Sequence, residues 1–298
     1  MFDTSEFRKN FAQEQLLFGE YMNKHTTFKI GGPATLMLLP NSDADITTAL
    51  EIAAYTGAPT FVTGGGSNLL VSDKGLDAVV IKLGKNYSDI MLKDGTIAAQ
   101  SGVSLASLAA FAYRHALTGL EFAAGIPGTL GGAIYMNAGA YGREMSDCVS
   151  SAALLLNQQT TEYSNAQLGF SYRTSSIQGS SGIVLSARLE LEQGDMREIS
   201  AKMDELAVQR REKQPLEYPS AGSTFKRPPN HFAGKLIEDA GLKGFSIGGA
   251  QVSPKHAGFI INTGNATAED VQNLIEYIQE QVCKCFGIEL EPEIKRVG

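Results

Sequence analysis

The stretch "PTFVTGGGSNLLV", residues 59–71, sets a short β-branched and aromatic run directly before three successive glycines. "TFVT" has the composition of a strand, and Gly64, Gly65 and Gly66 end it. Three glycines permit positive φ, so successive backbone N–H groups can converge on an anion, and Ser67 and Asn68 add side-chain donors, with Leu69 next in line. A tight turn is the plainer alternative. Upstream, Ile46, Leu50, Ala53 and Ala54 fall at helical spacing, so residues 46–71 read as a helix, strand and loop unit.

A second glycine-rich run, "GIPGTLGGAIYMNAGAYG" at 125–142, follows downstream. Gly125, Gly128 and Gly131 recur every third residue, which would clear one side of a helical turn and let a flat or phosphorylated ligand touch backbone. Neither run has the GxGxxG spacing in a βαβ context or the GxxxxGK[ST] of a P-loop, so neither of those nucleotide sites is expected. Two separate anion cradles imply a long ligand such as a dinucleotide.

The remaining elements can be placed around these runs. "LDAVVIKL" (76–83) reads as a strand, and "DIMLK" and "TIAAQSG" as the arms of a hairpin turning at Asp94-Gly95. "SLASLAAFAYRHAL" has the helical period with Ser104 as its N-cap. In "SGIVLSARLELEQ", Ile183, Leu185, Ala187, Leu189 and Leu191 share one strand face, with Arg188, Glu190 and Glu192 on the other. After residue 195 the pattern turns helical as far as Pro215, and a long amphipathic helix runs from Thr267 to Phe286 with Val271, Leu274, Ile275, Ile278 and Val282 as its apolar stripe. Thr267 and Asp270 suggest a capping box at its start. Helices and strands mix without regular βαβ alternation, so the fold class is α+β. A domain boundary is expected near residue 195.

Composition narrows the function classes. The 298 residues are 43% hydrophobic and 19% charged with a net charge of -7, ordinary for a soluble globular chain and a poor match to nucleic acid. The first residues lack a continuous apolar core, and no segment approaches the length of a membrane span, so a cytoplasmic protein is expected. Cys148, Cys283 and Cys285 form no CxxC pair, and His25, His115, His231 and His256 are dispersed, so no metal site is expected.

Three short stretches could carry chemistry. "SAGSTFKRP" holds Ser223 with Lys226 and Arg227, "FSYRTSS" holds Arg173 beside Tyr172, and "ELEPEIKR" holds Glu293 with Lys295. Taken singly, Ser223 reads as a turn residue, Arg173 as a surface ion pair and Glu293 as a solvated strand charge. No GxSxG elbow is present, so nucleophilic hydrolysis lacks support.

Taken together and in order, "NKHTTFKIGGPA", "TGGGSNLLV", "GIPGTLGGAIYMNAGAYG", "FSYRTS", "SAGSTFK" and "LEPEIK" resemble the motif set of the UDP-N-acetylenolpyruvoylglucosamine reductase family over nearly the whole chain. The resemblance implies an FAD-binding unit of the vanillyl-alcohol-oxidase type made of two subdomains, 1–84 and 85–195, and a C-terminal α+β substrate-binding domain, 196–298. It implies non-covalent FAD held by Gly64, Gly65, Gly66, Ser67, Asn68 and Leu69 and by Gly125, Pro127, Gly128, Gly131, Gly132, Asn137, Ala138, Gly139 and Ile183. It further implies that NADPH is the hydride source and that UDP-N-acetylglucosamine enolpyruvate is reduced to UDP-N-acetylmuramate. Arg173 would hold the substrate carboxylate, Ser223 would donate a proton, and Glu293 would assist. Arg227 stands where one branch of the family has asparagine, and no tyrosine-bearing insertion is evident, both as in the type II branch. For substrate binding the residues expected are Tyr172, Lys226, Arg227, Lys255, His256 and Lys295. Small-molecule substrates are the only partners expected, with no nucleic acid or membrane, and a monomer is favoured. The alternatives are a flavin oxidoreductase of the same fold acting on another substrate, and a nucleotide-sugar binding protein without catalysis.

Overall fold

The computed structural model describes residues 2–298. Thr60–Thr63 is a strand, paired in parallel with Leu76–Lys82 from Thr60↔Val79 to Thr63↔Lys82. They belong to a four-stranded sheet in the order Leu16–Tyr21, Pro33–Leu38, Leu76–Lys82, Thr60–Thr63. The helix before them, Asp43–Thr56, starts at Ser42, whose side chain accepts from the Asp45 N–H, and ends at Gly57 in the left-handed conformation.

The chain forms two units, each discontinuous in sequence. The first takes the residues up to Leu17, Leu36–Gly65 and Ala78–Gln209; the second takes Phe18–Thr35, Gly66–Asp77 and Arg210–Gly298. The contiguous segments 1–84, 85–195 and 196–298 cut the chain differently. Residues 18–35 and 66–77 pack with the C-terminal part, and the helix Met196–Lys213 changes unit after Gln209. The first glycine run is itself divided, between Gly65 and Gly66.

Within the first unit lie two cores. One gathers Phe7, Leu36, Ile46, Val79, Ile81, Leu155, Ile183 and Leu185; the other gathers Ile97, Leu105, Leu108, Leu130, Ile134, Val149, Leu154, Ala187 and Leu189. The second core lies on a five-stranded antiparallel sheet in the order Gln159–Ser164, Val149–Leu156, Ile183–Glu190, Thr96–Gln100, Ile90–Lys93. Its hairpin pairs Lys93 with Thr96 across Asp94 (φ 51°) and Gly95 (φ 78°), and two positive φ values are what a two-residue turn matched to strand twist requires. The strand Ile183–Glu190 corrects the single-face expectation: Ile183 and Leu185 pack in one core, Ala187 and Leu189 in the other. A register shift opposite Ala153/Leu154 re-aims the side chains between them.

The second unit packs the helix Ala268–Phe286 on a four-stranded sheet in the order Ser220–Ser223, Phe259–Asn262, Ala250–Val252, Ser246–Ile247. Val271, Leu274, Ile275, Ile278 and Val282 are all buried, as their spacing requires. At the helix start the Thr267 side chain accepts from the Asp270 N–H while Asp270 accepts from the Thr267 N–H, and Asp73 accepts from the Ala268 N–H. Thr267→Ala is expected to destabilise this unit by about 1 kcal/mol, read as a lower melting temperature with unchanged near-ultraviolet dichroism at 25 °C. A melting temperature equal to the parent's would contradict the cap assignment. No described helix is long and apolar enough to cross a membrane.

Candidate active site

In the first unit the two glycine runs meet. A methyl group on Gly64 would collide with the Thr129 hydroxyl, and a Cβ on Gly65 would lie 2.8 Å from Gly128 Cα, inside any van der Waals contact. The two expected cradles are therefore one structure, backbone against backbone. Among the described residues the amides of Gly64 and Gly65 donate to nothing within the chain. The reading of Gly125, Gly128 and Gly131 as one helical face does not hold. The helix spans Leu130–Met136, so only Gly131 lies in it, and Gly128 has φ +123°. Gly131 is needed because a Cβ there would sit 2.8 Å from Ser101 Cβ. The first two helix amides are also already used, Leu130 N–H donating to Val103 O and Gly131 N–H to Ser101 O, each at 2.8 Å.

Thr129, against Gly64, and Ser101, against Gly131, add two hydroxyls. Ser101 Oγ and Thr129 Oγ1 are buried with no hydrogen-bond partner in the described structure. A buried unpaired hydroxyl costs about 1–3 kcal/mol, so each is a group that a polar ligand would satisfy. The sequence signal was thin: Thr129 stands inside the quoted glycine run, whereas Ser101 is one serine in "QSG".

The hairpin bearing Arg173 is tied to the same run. Ser171 and Thr174 exchange backbone hydrogen bonds at 3.1 Å, leaving Tyr172 and Arg173 at the tip with Arg173 at φ +56°. The Arg173 guanidinium donates to Gly139 O at 3.0 Å and lies 5.1 Å from the Tyr172 ring. Asn137, fully buried, donates to Ser171 O at 3.1 Å and accepts from Ser146 N–H at 3.0 Å. Thus 137–139 positions Arg173, and Ala138 is part of that turn.

In the second unit the residues 66–69, 223–226 and 291–295 come together. Asn68 Nδ2 donates to Glu293 O (3.1 Å), Lys295 N–H donates to Asn68 O (2.8 Å), and Glu293 N–H donates to Thr224 O (2.8 Å). Leu69 begins a strand running parallel to Lys295–Val297. Ser223 is exposed at the end of its strand, where the register slips: Ser220 faces Ile261 but Ser223 faces Phe259. Gly222, at φ +78°, supplies the left-handed residue of this bulge, which turns Ser223 outward while Thr224 is buried and accepts from Ile260 N–H. Ser223 and Glu293 are thus bonded neighbours through Thr224, and Arg173 belongs to the first unit.

The other expected residues differ in exposure and in the contacts they make. Gly125, Pro127 and Gly132 are exposed, and a Cβ on Gly132 would meet nothing within 4 Å. Ile183 is a core side chain, so only its backbone could meet a ligand. The Lys226 ammonium is held by Glu291 at 2.6 Å. Lys255 Nζ donates to Arg211 O at 2.6 Å, fixing the end of the helix Met196–Lys213. His256 accepts from Gly258 N–H at 3.1 Å within a turn, and burial holds its imidazole below the usual pKa. Arg227 stacks 4.4 Å from the ring of Phe232, an aromatic that is 62% exposed.

Comparison with known proteins places the chain in a family. Residues 34–162 match an FAD binding domain, and residues 214–297 match the UDP-N-acetylenolpyruvoylglucosamine reductase C-terminal domain. The relatives carrying the reductase name include one from Caldanaerobacter subterraneus subsp. tengcongensis, 55% identical over 95% of this chain and 94% of its own, and one from Alkaliphilus metalliredigens, 49% identical over 98% and 97%. The crystal structure of UDP-N-acetylenolpyruvylglucosamine reductase (MurB) from Thermus caldophilus superposes with a TM-score of 0.82 at 36% identity, covering 95% of this chain and 98% of that one. A solvent-stable cholesterol oxidase, at TM-score 0.50 and 14% identity over 62% of this chain and 39% of its own, shares fold alone. The matched domains and the named relatives define an FAD-binding α+β oxidoreductase. More narrowly, the chain belongs to the UDP-N-acetylenolpyruvoylglucosamine reductase family.

Proposed function

We propose that this protein reduces UDP-N-acetylglucosamine enolpyruvate to UDP-N-acetylmuramate, a step of peptidoglycan precursor synthesis, with NADPH as reductant and FAD bound non-covalently. The observation that carries this reading is the bonding of the Ser223 strand, the Glu293 segment and the loop 66–69 into one cluster. Gly64, Gly65, Gly128, Ser101 and Thr129 would hold the flavin, because that is where bare backbone and unpaired hydroxyls coincide. Flavin bound there would supply the hydride-transfer chemistry that links NADPH to the enolpyruvyl group.

The residues of the chain then have a defined task. Hydride addition at the β-carbon pushes charge into the carboxylate, giving an enolate-like species that needs a cation on its oxygens and an acid at the α-carbon. Arg173, already oriented by Gly139 O and Tyr172, serves as that cation. Ser223 donates the proton. A serine hydroxyl is a weak acid, and Lys226 is paired with Glu291, so the charge left on Ser223 is discharged by reprotonation through water, which its exposure allows. Glu293 supports the proton transfer from the segment bonded to Thr224.

Anaerobic titration tests each part separately. The purified protein is expected to be yellow, to bleach with NADPH, and to regain colour when the enolpyruvyl nucleotide sugar is added. A colourless protein would remove the flavin assignment. Bleaching without recovery would leave a flavoenzyme for another acceptor, and a yellow protein that NADPH does not bleach would overturn the choice of reductant.

A further inference from the structure

Thr27 belongs to the loop in "HTTFKIGG" and has no role so far. The loop is rigidly seated in the second unit: Thr26 Oγ1 donates to Ile30 O at 3.0 Å, Asn262 Nδ2 donates to Phe28 O at 3.1 Å, and Phe28 and Ile30 are buried core residues. Lys29 holds φ +58°, a conformation that costs a non-glycine residue energy unless the surroundings impose it. From this fixed base Thr27 makes two outward bonds. Its N–H donates to Gly66 O at 3.3 Å, and its Oγ1 donates to Ser220 O at 2.7 Å. The approach to Gly66 is enforced, since a methyl group on Gly66 would collide with the His25 carbonyl.

Ser220 is the near end of the bulge that aims Ser223. Across a bulge the regular ladder is interrupted, so the segment between its ends is held only as well as the ends are pinned. The far end is pinned twice, by Thr224 N–H to Gly258 O at 2.8 Å and by Ile260 N–H to Thr224 Oγ1 at 3.1 Å. At the near end the tie to Thr27 runs, through Gly66, to the loop that carries Asn68 and its bond to Glu293.

We infer that Thr27 is a positioning residue for proton donation, fixing the start of the Ser220–Ser223 bulge against the glycine loop so that the Ser223 hydroxyl has one direction. The inference rests on the proposed proton-donor role of Ser223. Thr27→Val keeps shape and removes the hydroxyl, and Thr27→Ser restores it; both are compared with the parent flavoprotein in the two half-reactions. Thr27→Val is expected to slow reoxidation by the enolpyruvyl nucleotide sugar about five- to tenfold, the rate equivalent of one ordinary hydrogen bond, while reduction by NADPH is unchanged. The solvent deuterium isotope effect on reoxidation should rise, and Thr27→Ser should recover the parent rate. A parent-like rate in Thr27→Val, or equal loss in both half-reactions, or failure of Thr27→Ser to recover would overturn the inference. If the parent enzyme itself is not reoxidised, the proposed function falls first.

Discussion

Ser223→Ala is expected to slow reoxidation of the reduced enzyme by the enolpyruvyl nucleotide sugar on the order of 10²- to 10⁴-fold, the range general acid catalysis supplies. Reduction by NADPH should keep the parent rate, because no proton to carbon is transferred in that half-reaction. The side chain is exposed at a bulge and Thr224 carries the buried hydrogen bonds, so loss of one hydroxyl should leave the melting temperature of the second unit unchanged. Stopped-flow traces of the two half-reactions, followed at the flavin band, read both numbers from one preparation. Equal loss in the two would mean that Ser223 shapes the site and donates nothing. Full retention in both would move the acid to another group.

What local chemistry dictates was readable before folding, and what distant partners dictate was not. Asp94-Gly95 announced a two-residue hairpin because few other pairs tolerate two positive φ values. Thr267 and Asp270 announced a helix start because their side chains answer each other's amides within one turn. The bulge at Gly222 was hidden, since a register slip exists only relative to the partner strand Phe259–Asn262. The pairing of Lys226 with Glu291 was hidden for the same reason. The bonds of Lys255 to a helix end and of His256 within a turn were equally hidden.

The candidate site follows the same division. Each glycine run was conspicuous by composition, yet the contact of Gly65 with Gly128 depends on how two loops far apart in sequence pack. The period of three at 125, 128 and 131 misled because it assumed one helix through all three positions. Chain conformation breaks that period at Gly128, where φ is +123°. Ser101 and Thr129 became visible only as buried hydroxyls lacking partners, a property that no residue type carries by itself.

Gly65→Val is the corresponding test of the cofactor half, and its effect should be nearly complete. A Cβ at this position lies 2.8 Å from Gly128 Cα, and the obstacle is backbone, which cannot swing aside as a side-chain tip can. The two glycine runs must then separate, displacing the bare amides and the Thr129 hydroxyl next to Gly64. Forcing extra methyl groups into a packed site costs about 1–3 kcal/mol, well below the total stability of a domain, so the protein should still fold. It should purify colourless, with flavin absorbance far below one equivalent, and show no bleaching with NADPH. Gly84→Ala is the control, because a Cβ there meets only the end of Lys82 at 3.9 Å, and it should purify yellow. The melting temperature separates the two possible causes of a colourless product: a protein that melts near the parent's apo form has lost a ligand site, whereas a collapsed transition reports lost folding. Stoichiometric flavin in folded Gly65→Val would show that the cofactor lies away from the Gly65–Gly128 junction.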